Sequence, residues 1–240
     1  MTDALAIAWK EWHELLGQRG VRGKFGVLLF VAVFGIVIPL QNGPTWITSP
    51  SMVIAWAWAP MFLVINVIAD AIAGERERHT LETLFASRVS DGAILLGKIG
   101  AASGYAAAVT TASLSLGVVA VNLAYARGGI LLYPLRTVLV MCVLGVLGAL
   151  FVAALGVLVS LRSATVRHAQ QILSGTIMLL LMVPLVGARL LPAAWRHTLL
   201  PDPAALARLE LIAVAAFVVL DAGVMALTFS QFTRSRLIPE

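Results

Sequence analysis

From Phe25 onward the sequence alternates long apolar runs with short polar intervals, and the runs have the length of membrane crossings. About 20 mostly apolar residues cover the ~30 Å of bilayer hydrocarbon as an α-helix. Six segments meet that requirement: Phe25–Leu40, Met52–Ile72, Ala101–Leu123, Thr137–Ser160, Ile172–Leu190 and Leu209–Phe232. The first is short, and Pro39, which cannot donate a helical hydrogen bond, is expected to end it. Ahead of these runs, DALAIAWKEWHELLGQRG puts Leu5, Trp9, Trp12 and Leu16 three or four residues apart, with Lys10, Glu11 and Glu14 turned away. That pattern predicts an amphipathic helix over residues 3–18, lying in the membrane interface with two Trp rings at headgroup depth. The plainer alternative is a soluble helix on a core, but no other soluble segment is long enough to supply one.

Composition supports the pattern. Of 240 residues, 60% are apolar and 12% charged, which is unlike a soluble globular domain. The fold class expected is therefore all-α integral membrane, with six transmembrane helices in a single domain spanning residues 1–240, since no repeat, low-complexity tract or linker divides the chain. Cys142 is the sole cysteine and lies inside an apolar run, so neither a disulfide framework nor a thiolate metal site is expected. His13, His79, His168 and His197 are scattered over both faces of the membrane, which argues against a metal centre. No G-x-x-x-x-G-K-[ST] phosphate loop is present, nor an intramembrane Ser/His, paired-Asp or H-E-x-x-H constellation. No catalytic site is expected in this chain.

The net charge of +5 raises nucleic acid as a partner, but the basic residues sit at the ends of apolar segments rather than along one soluble face. They report topology instead, and no nucleic-acid partner is expected. With the N-terminus inside, the cytoplasmic side receives Lys10, Arg19, Arg22, Lys24, Arg76, Arg78, Arg88, Lys98, Arg162, Arg167, Arg234 and Arg236. The outside receives Arg127, Arg136, Arg189, Arg196 and Arg208, so the 17 basic residues divide twelve to five. Both termini are expected in the cytoplasm, and the charge-free loop from Gln41 to Ser51 outside.

One cytoplasmic interval is unusually charged. The stretch GERERHTLETLFASRVSDGAILLGK, Gly74 to Lys98, has no proline or internal glycine between Gly74 and Ser87, and it places Leu81, Leu84, Phe85 and Arg88 on one helical face. A short helix is predicted, followed by a break at Val89 and a new helix capped by Ser90, with Val89 and Ile94 as its hydrophobic staple. An apolar ridge flanked by Glu75, Arg76, Glu77, Arg78 and Glu82 has the make-up of a docking surface with a charged rim. It also fits a solvated loop with incidental ion pairs such as Arg78 with Glu82, each contributing about 0.2–0.5 kcal/mol.

The same stretch resembles the segment after the second span of ABC-2 type transporter permeases, G-E-[KR]-E-x-G-T-L-E-x-L-L-[AST]-[ST]-P-[VI]-S followed by I-L-x-G-K. The matching positions are Gly74, Glu75, Arg76, Glu77, Thr80, Leu81, Glu82, Leu84, Ser87, Val89, Ser90, Ile94, Leu95, Gly97 and Lys98. His79 stands where the pattern has glycine, and Arg88 where it has proline. The resemblance extends to the interfacial N-terminal helix, the six spans and the proline-containing outer loop LLPDPAAL before the last. It implies an exporter working by alternating access: two permease copies, as a homodimer or heterodimer in the cell membrane, above two separate ABC ATP-binding subunits. ATP and Mg would be bound by those subunits, and no cofactor by this chain. It further implies that residues 74–88 form the coupling helix, with Glu75, Arg76, Glu77, Arg78, Thr80, Leu81, Glu82, Leu84, Phe85 and Arg88 as the contact through which ATPase closure reaches the membrane.

Polar residues inside the spans are the candidates for a translocation path. Asp221 lies near the middle of the sixth span, as a path or relay carboxylate or as a group satisfied by a neighbouring helix. Asn66 and Asp70 share a face of the second span, Asp70 near enough to the cytoplasm to be hydrated. Met178 and Met182 offer an adaptable apolar lining. Arg208 and Glu210 form an outer-boundary feature, and Trp56 and Trp58 an aromatic belt. Small residues at Gly100, Gly104 and Ala108, and at Gly145, Gly148 and Ala149, allow close helix packing. An ion- or proton-coupled secondary transporter driven through Asp221 is the alternative function, although the related halves and interrupted helices of that class are not evident.

Overall fold

A computed structural model describes residues 2–17, 21–49, 58–80, 88–125, 129–190 and 203–232. All regular elements among them are helices: α1 (Thr2–Gly17), α2 (Val21–Ala32), a π-turn (Val33–Val37), α3 (Ile38–Asn42), α4 (Thr45–Thr48), α5 (Ala59–Ile68), α6 (Asp70–Glu77), α7 (Asp91–Tyr125), α8 (Leu135–Arg162), α9 (Val166–Leu190) and α10 (Pro203–Gln231). Four helical runs are long and apolar enough to cross a membrane: Phe25–Asn42, Asp91–Tyr125, Leu135–Arg162 and Ala207–Gln231. The second predicted span begins outside the described residues and continues as α5. The fifth falls on α9, which is not among the four.

The centre of the bundle is α5. Apart from Asn66 its residues are apolar, and a helix of that kind belongs in the interior; Val64, Ile68 and Ala59 are fully or almost fully buried. Helix α8 reaches it through small residues. A Cβ on Gly145 would stand 3.3 Å from Pro60 Cγ, one on Gly148 would stand 2.8 Å from Met61 Cε, and one on Gly156 would collide with Ile68. The predicted stripe at Gly145, Gly148 and Ala149 is therefore the α5–α8 seam. In the other predicted stripe a Cβ on Gly104 would lie 3.5 Å from the Trp12 ring, while one on Gly100 would meet nothing within 4 Å.

Pro39 does not end the first span. The helical run continues to Asn42, because the backbone widens to i→i+5 bonding just before the proline, with the Ile38 amide donating to the Val33 carbonyl. A π-turn of this kind absorbs the ring that an unbroken α-helix cannot. Pro39 is buried, and a Cβ on Gly117 of α7 would lie 3.2 Å from its Cγ.

A second irregularity divides α5 from α6 at Ala69. The Ser160 hydroxyl of α8 enters the backbone ladder there, accepting from the amides of Ile72 (3.2 Å) and Ala73 (2.8 Å) and donating to the Ala69 carbonyl (3.1 Å). Insertion of a side chain into the i→i−4 ladder is an established cause of a helix break. Ser160 is fully buried, and all three bonds fall where the second span leaves the apolar interior.

The N-terminal helix is the expected element in an altered setting. Leu5 and Trp9 are each 68% exposed, as an interfacial face requires, but Ile7 is buried and Trp12 packs edge-on to Tyr105 of α7, 6.4 Å between centroids. Glu11, expected to turn away, faces the protein. The reason is Gly97: a Cβ there would come within 2.6 Å of Ile7 Cγ2 and 2.9 Å of the Ala4 carbonyl, so the bare backbone seats α1 directly on α7.

Polar contacts gather at the two ends of the bundle. At one end Arg162 donates to Gln231 (2.7 Å) and α1, α6 and the start of α7 meet. At the other, Tyr125 donates to the Leu40 carbonyl (2.7 Å), Asn122 exchanges bonds with Leu131, and Arg136 pairs with Glu210 at 2.7 Å. Glu210 thus bonds across helices rather than locally with Arg208.

Candidate functional site

The charged stretch begins on α6, and the expected single helix from Gly74 to Ser87 is not formed. It stops at Glu77 with Arg78 as its C-cap. His79 then adopts a left-handed conformation, φ 57°, its amide donating to the Arg76 carbonyl (3.1 Å) while the Thr80 amide reaches back to the Glu75 carbonyl (2.9 Å). These two bonds are a Schellman motif with His79 in the position that favours glycine. The departure His79 from the resembled pattern falls on the residue that turns the chain. A side chain there costs roughly 1–2 kcal/mol.

Glu75, Arg76 and Glu77 are bound to other helices of the bundle and Arg78 to Asp70 of its own helix. Glu75 is 5% exposed, with its carboxylate 3.5 Å from Lys98 Nζ and 4.0 Å from Lys10 Nζ, and it accepts a bond from the Thr80 hydroxyl. Lys98, 3% exposed, makes its closest contact at 2.6 Å with Glu11 of α1. Arg76 donates to the carbonyls of Ser163 (2.7 Å) and Leu161 (3.0 Å), where α8 ends, and a guanidinium suits that negative end of the helix dipole. Glu77 accepts from the Val166 amide (2.8 Å) at the start of α9, the matching role at a positive end. Arg78 forks onto Asp70, with contacts of 3.2 Å, so Asp70 is ion-paired; Glu82, its expected partner, lies outside the described residues. This pair lies over Gly74, where a Cβ would collide with the Asp70 carboxylate.

Electrostatics at Glu75 follow from that setting, which lies beyond the predicted end of the second span. Burial pushes its carboxyl upward, but Lys98, the Thr80 hydroxyl, Lys10 and Arg78 together outweigh it and hold the group below its ordinary value.

Of the remaining predicted contact residues, Arg88 is exposed just before α7, and the Ser90 hydroxyl caps that helix by accepting from the Ala93 amide at 3.3 Å. Leu81, Glu82, Leu84 and Phe85 lie outside the described residues, as does Trp56. Among the path candidates, Asn66 is exposed on the largely buried α5 and donates weakly to the Phe62 carbonyl (3.5 Å). Met178 and Met182 are exposed on α9. Asp221 turns the other way: both carboxylate oxygens are buried and have no hydrogen-bond partner among the described residues. It does not share the open surface of the other three. Trp58 stacks edge-on with Phe34 and Phe62. No group of three or more metal-ligating side chains occurs among the described residues.

Sequence reasoning missed Ser160 and the pairing of Glu11, Glu75 and Lys98. Serine has no periodic signature, but a lysine between apolar residues Ile94, Leu95 and Ile99 was a usable signal, since a buried ammonium needs carboxylate partners.

Long apolar helices packed through glycine seams, with polar groups gathered at the two ends, define a multi-pass α-helical membrane protein. The family model for ABC-2 family transporter proteins matches residues 39–209, well over half of the chain, and the chain belongs to that family. It is thus a membrane component of ABC transport. No curated protein matches the sequence.

Proposed function

We propose that the chain is the membrane-spanning permease subunit of an ATP-driven exporter, crossing the cell membrane six times with both termini in the cytoplasm. Two copies work by alternating access, powered by two separate ABC ATP-binding subunits that hold ATP and Mg. One observation carries the reading: the segment leading into Leu81 is bound through Glu75, Arg76, Glu77 and Arg78 to α1, α5–α6, α7, α8 and α9. A partner pressing on residues 81–88 would act on the helices that surround α5. That is the mechanical requirement of a coupling element, and it accounts for charges that a mere connector between spans does not need.

The ridge Leu81, Leu84 and Phe85 supplies the apolar contact in this reading, with Glu82 and Arg88 at its margin. Co-expression with the ABC ATP-binding subunit tests it. The two should co-purify and hydrolyse ATP, the permease alone should hydrolyse none, and a permease that binds no such subunit would contradict the proposal.

A second reading, an ion- or proton-coupled secondary transporter, draws on the unpartnered carboxylate of Asp221. Transport that persists without any ATPase subunit and disappears in Asp221→Asn would favour it.

A further inference from the structure

The ammonium of Lys98 is the meeting point of three helices that are far apart in sequence. Its side chain is 2% exposed, and Nζ lies 2.6 Å from Glu11 Oε1 of α1 and 3.5 Å from Glu75 Oε1 of α6. Lys10 lies alongside at 4.0 Å from Glu75 and 3.4 Å from Glu14, so the two cations face three carboxylates. Backbone contact reinforces the junction. Gly97, the residue before Lys98, is where α1 rests on α7, and a side chain there would strike Ile7 and the Ala4 carbonyl.

We propose that Lys98 is a positioning residue for energy coupling, which fastens the N-terminal helix to the segment that carries the ATPase contact so that the two move as one body. The proposal rests on the permease reading above. A buried carboxylate cannot part from the cation it is paired with without a large desolvation penalty. A displacement of α6 therefore draws Lys98 with it, and Lys98 draws Glu11. The opposite face of α1 exposes Leu5 and Trp9, so motion entering at residues 81–88 is delivered to the bilayer surface as well as to the spans. An ammonium is suited to this task because its three donors can serve two carboxylates at once, which an apolar replacement of equal length cannot do.

The test uses the complete complex with its ABC ATP-binding subunit, Cys142 replaced, and spin labels at positions 6, 79 and 123. Distances 6–123 and 79–123 are measured by pulsed EPR with and without MgATP and orthovanadate. In the unsubstituted protein both distances should shift on trapping. In Lys98→Met the 79–123 shift should remain and the 6–123 shift should be lost, and Lys98→Arg should restore it. A Lys98→Met variant that retains both shifts overturns the inference while leaving the permease reading intact. Absence of the 6–123 shift in the unsubstituted, ATP-hydrolysing complex likewise overturns the inference alone, whereas a chain that forms no such complex overturns the permease reading. Should Lys98→Met not assemble, Glu11→Gln decides, because it weakens the α1 link and leaves the Lys98–Glu75 pair in place: loss of the 6–123 shift alone supports the inference, and its retention overturns it.

Discussion

Glu75 and Asp221 are both carboxylates with buried oxygens, and their surroundings could hardly differ more. Glu75, at the end of the bundle where α1 and α6 meet α7, contacts Lys98, Lys10 and the Thr80 hydroxyl; Asp221, midway along α10, meets no hydrogen-bond partner among the described residues. Where the bundle joins its helices it surrounds a buried charge with compensating groups, and where it spans the membrane it leaves one uncompensated. The first arrangement holds a junction together. The second offers the carboxyl no such support among the described residues, and an unsatisfied buried polar group is a burden on stability.

The largest expected effect breaks the first arrangement. Glu75→Ala leaves Lys98 with one carboxylate in a buried site, and removal of one member of a buried pair typically costs about 3–5 kcal/mol. The purified permease should melt markedly lower in detergent; an unchanged melting temperature would show that the network is dispensable. Acid should do the same reversibly. Because the folded-state value of Glu75 is depressed below its ordinary 4.5, its contribution is complete above that value and is lost as pH falls through the lower, folded one. Stability owed to this group should be flat from neutral pH down to its ordinary value and decline only below it, which a melting series against pH would reveal.

The second arrangement predicts the opposite sign. Asp221→Leu removes an unsatisfied buried polar group, whose burden is typically about 1–3 kcal/mol, so this variant should melt at or above the wild-type temperature. Asp221→Asn keeps shape and hydrogen-bonding capacity and should retain partial transport. A large loss of stability in the leucine variant would mean that Asp221 has a partner after all. Smaller again is the effect at the Schellman turn. His79→Gly relieves a left-handed residue and should stabilise the turn by roughly 1 kcal/mol, seen as slower hydrogen exchange at the Thr80 amide.

Sequence pattern was a good guide to some of these features and a poor one to others. The four long apolar helices, the glycine seam at Gly145 and Gly148 and the Ser90 cap were legible because each has a local signature: run length, small-residue spacing, or a cap before a helix. The helix end at Glu77 was not, since the stretch lacks the glycine that normally marks a left-handed turn and has His79 in its place. Pro39 misled for a related reason, as a π-turn lets a proline remain inside a helical run. The charges of the motif had the right residue types for a solvent-facing rim, and nothing local tells a rim glutamate from one that meets Lys98 across 23 positions of sequence. Ser160 is further removed still, acting on Ala69, Ile72 and Ala73 from another helix. The path candidates were chosen for being polar or adaptable within spans, and that criterion is blind to direction, which is why Asp221 faces inward while Asn66 and Met178 face out.

The proposed division of labour within residues 74–88 is the central claim: Glu75, Arg76 and Glu77 hold to the bundle, and Leu81 and Leu84 would meet the ATPase. Melting temperature of the permease alone, measured beside retention of the ATP-binding subunit, separates the two roles in one pair of variants. Arg76→Ala, which uncaps α8, should lower the melting temperature. The Leu81→Asp, Leu84→Asp double variant should melt like wild type yet lose the ATP-binding subunit, because a charge buried without a partner in the contact opposes docking. A double variant that keeps the subunit and its ATP-driven transport would contradict the account.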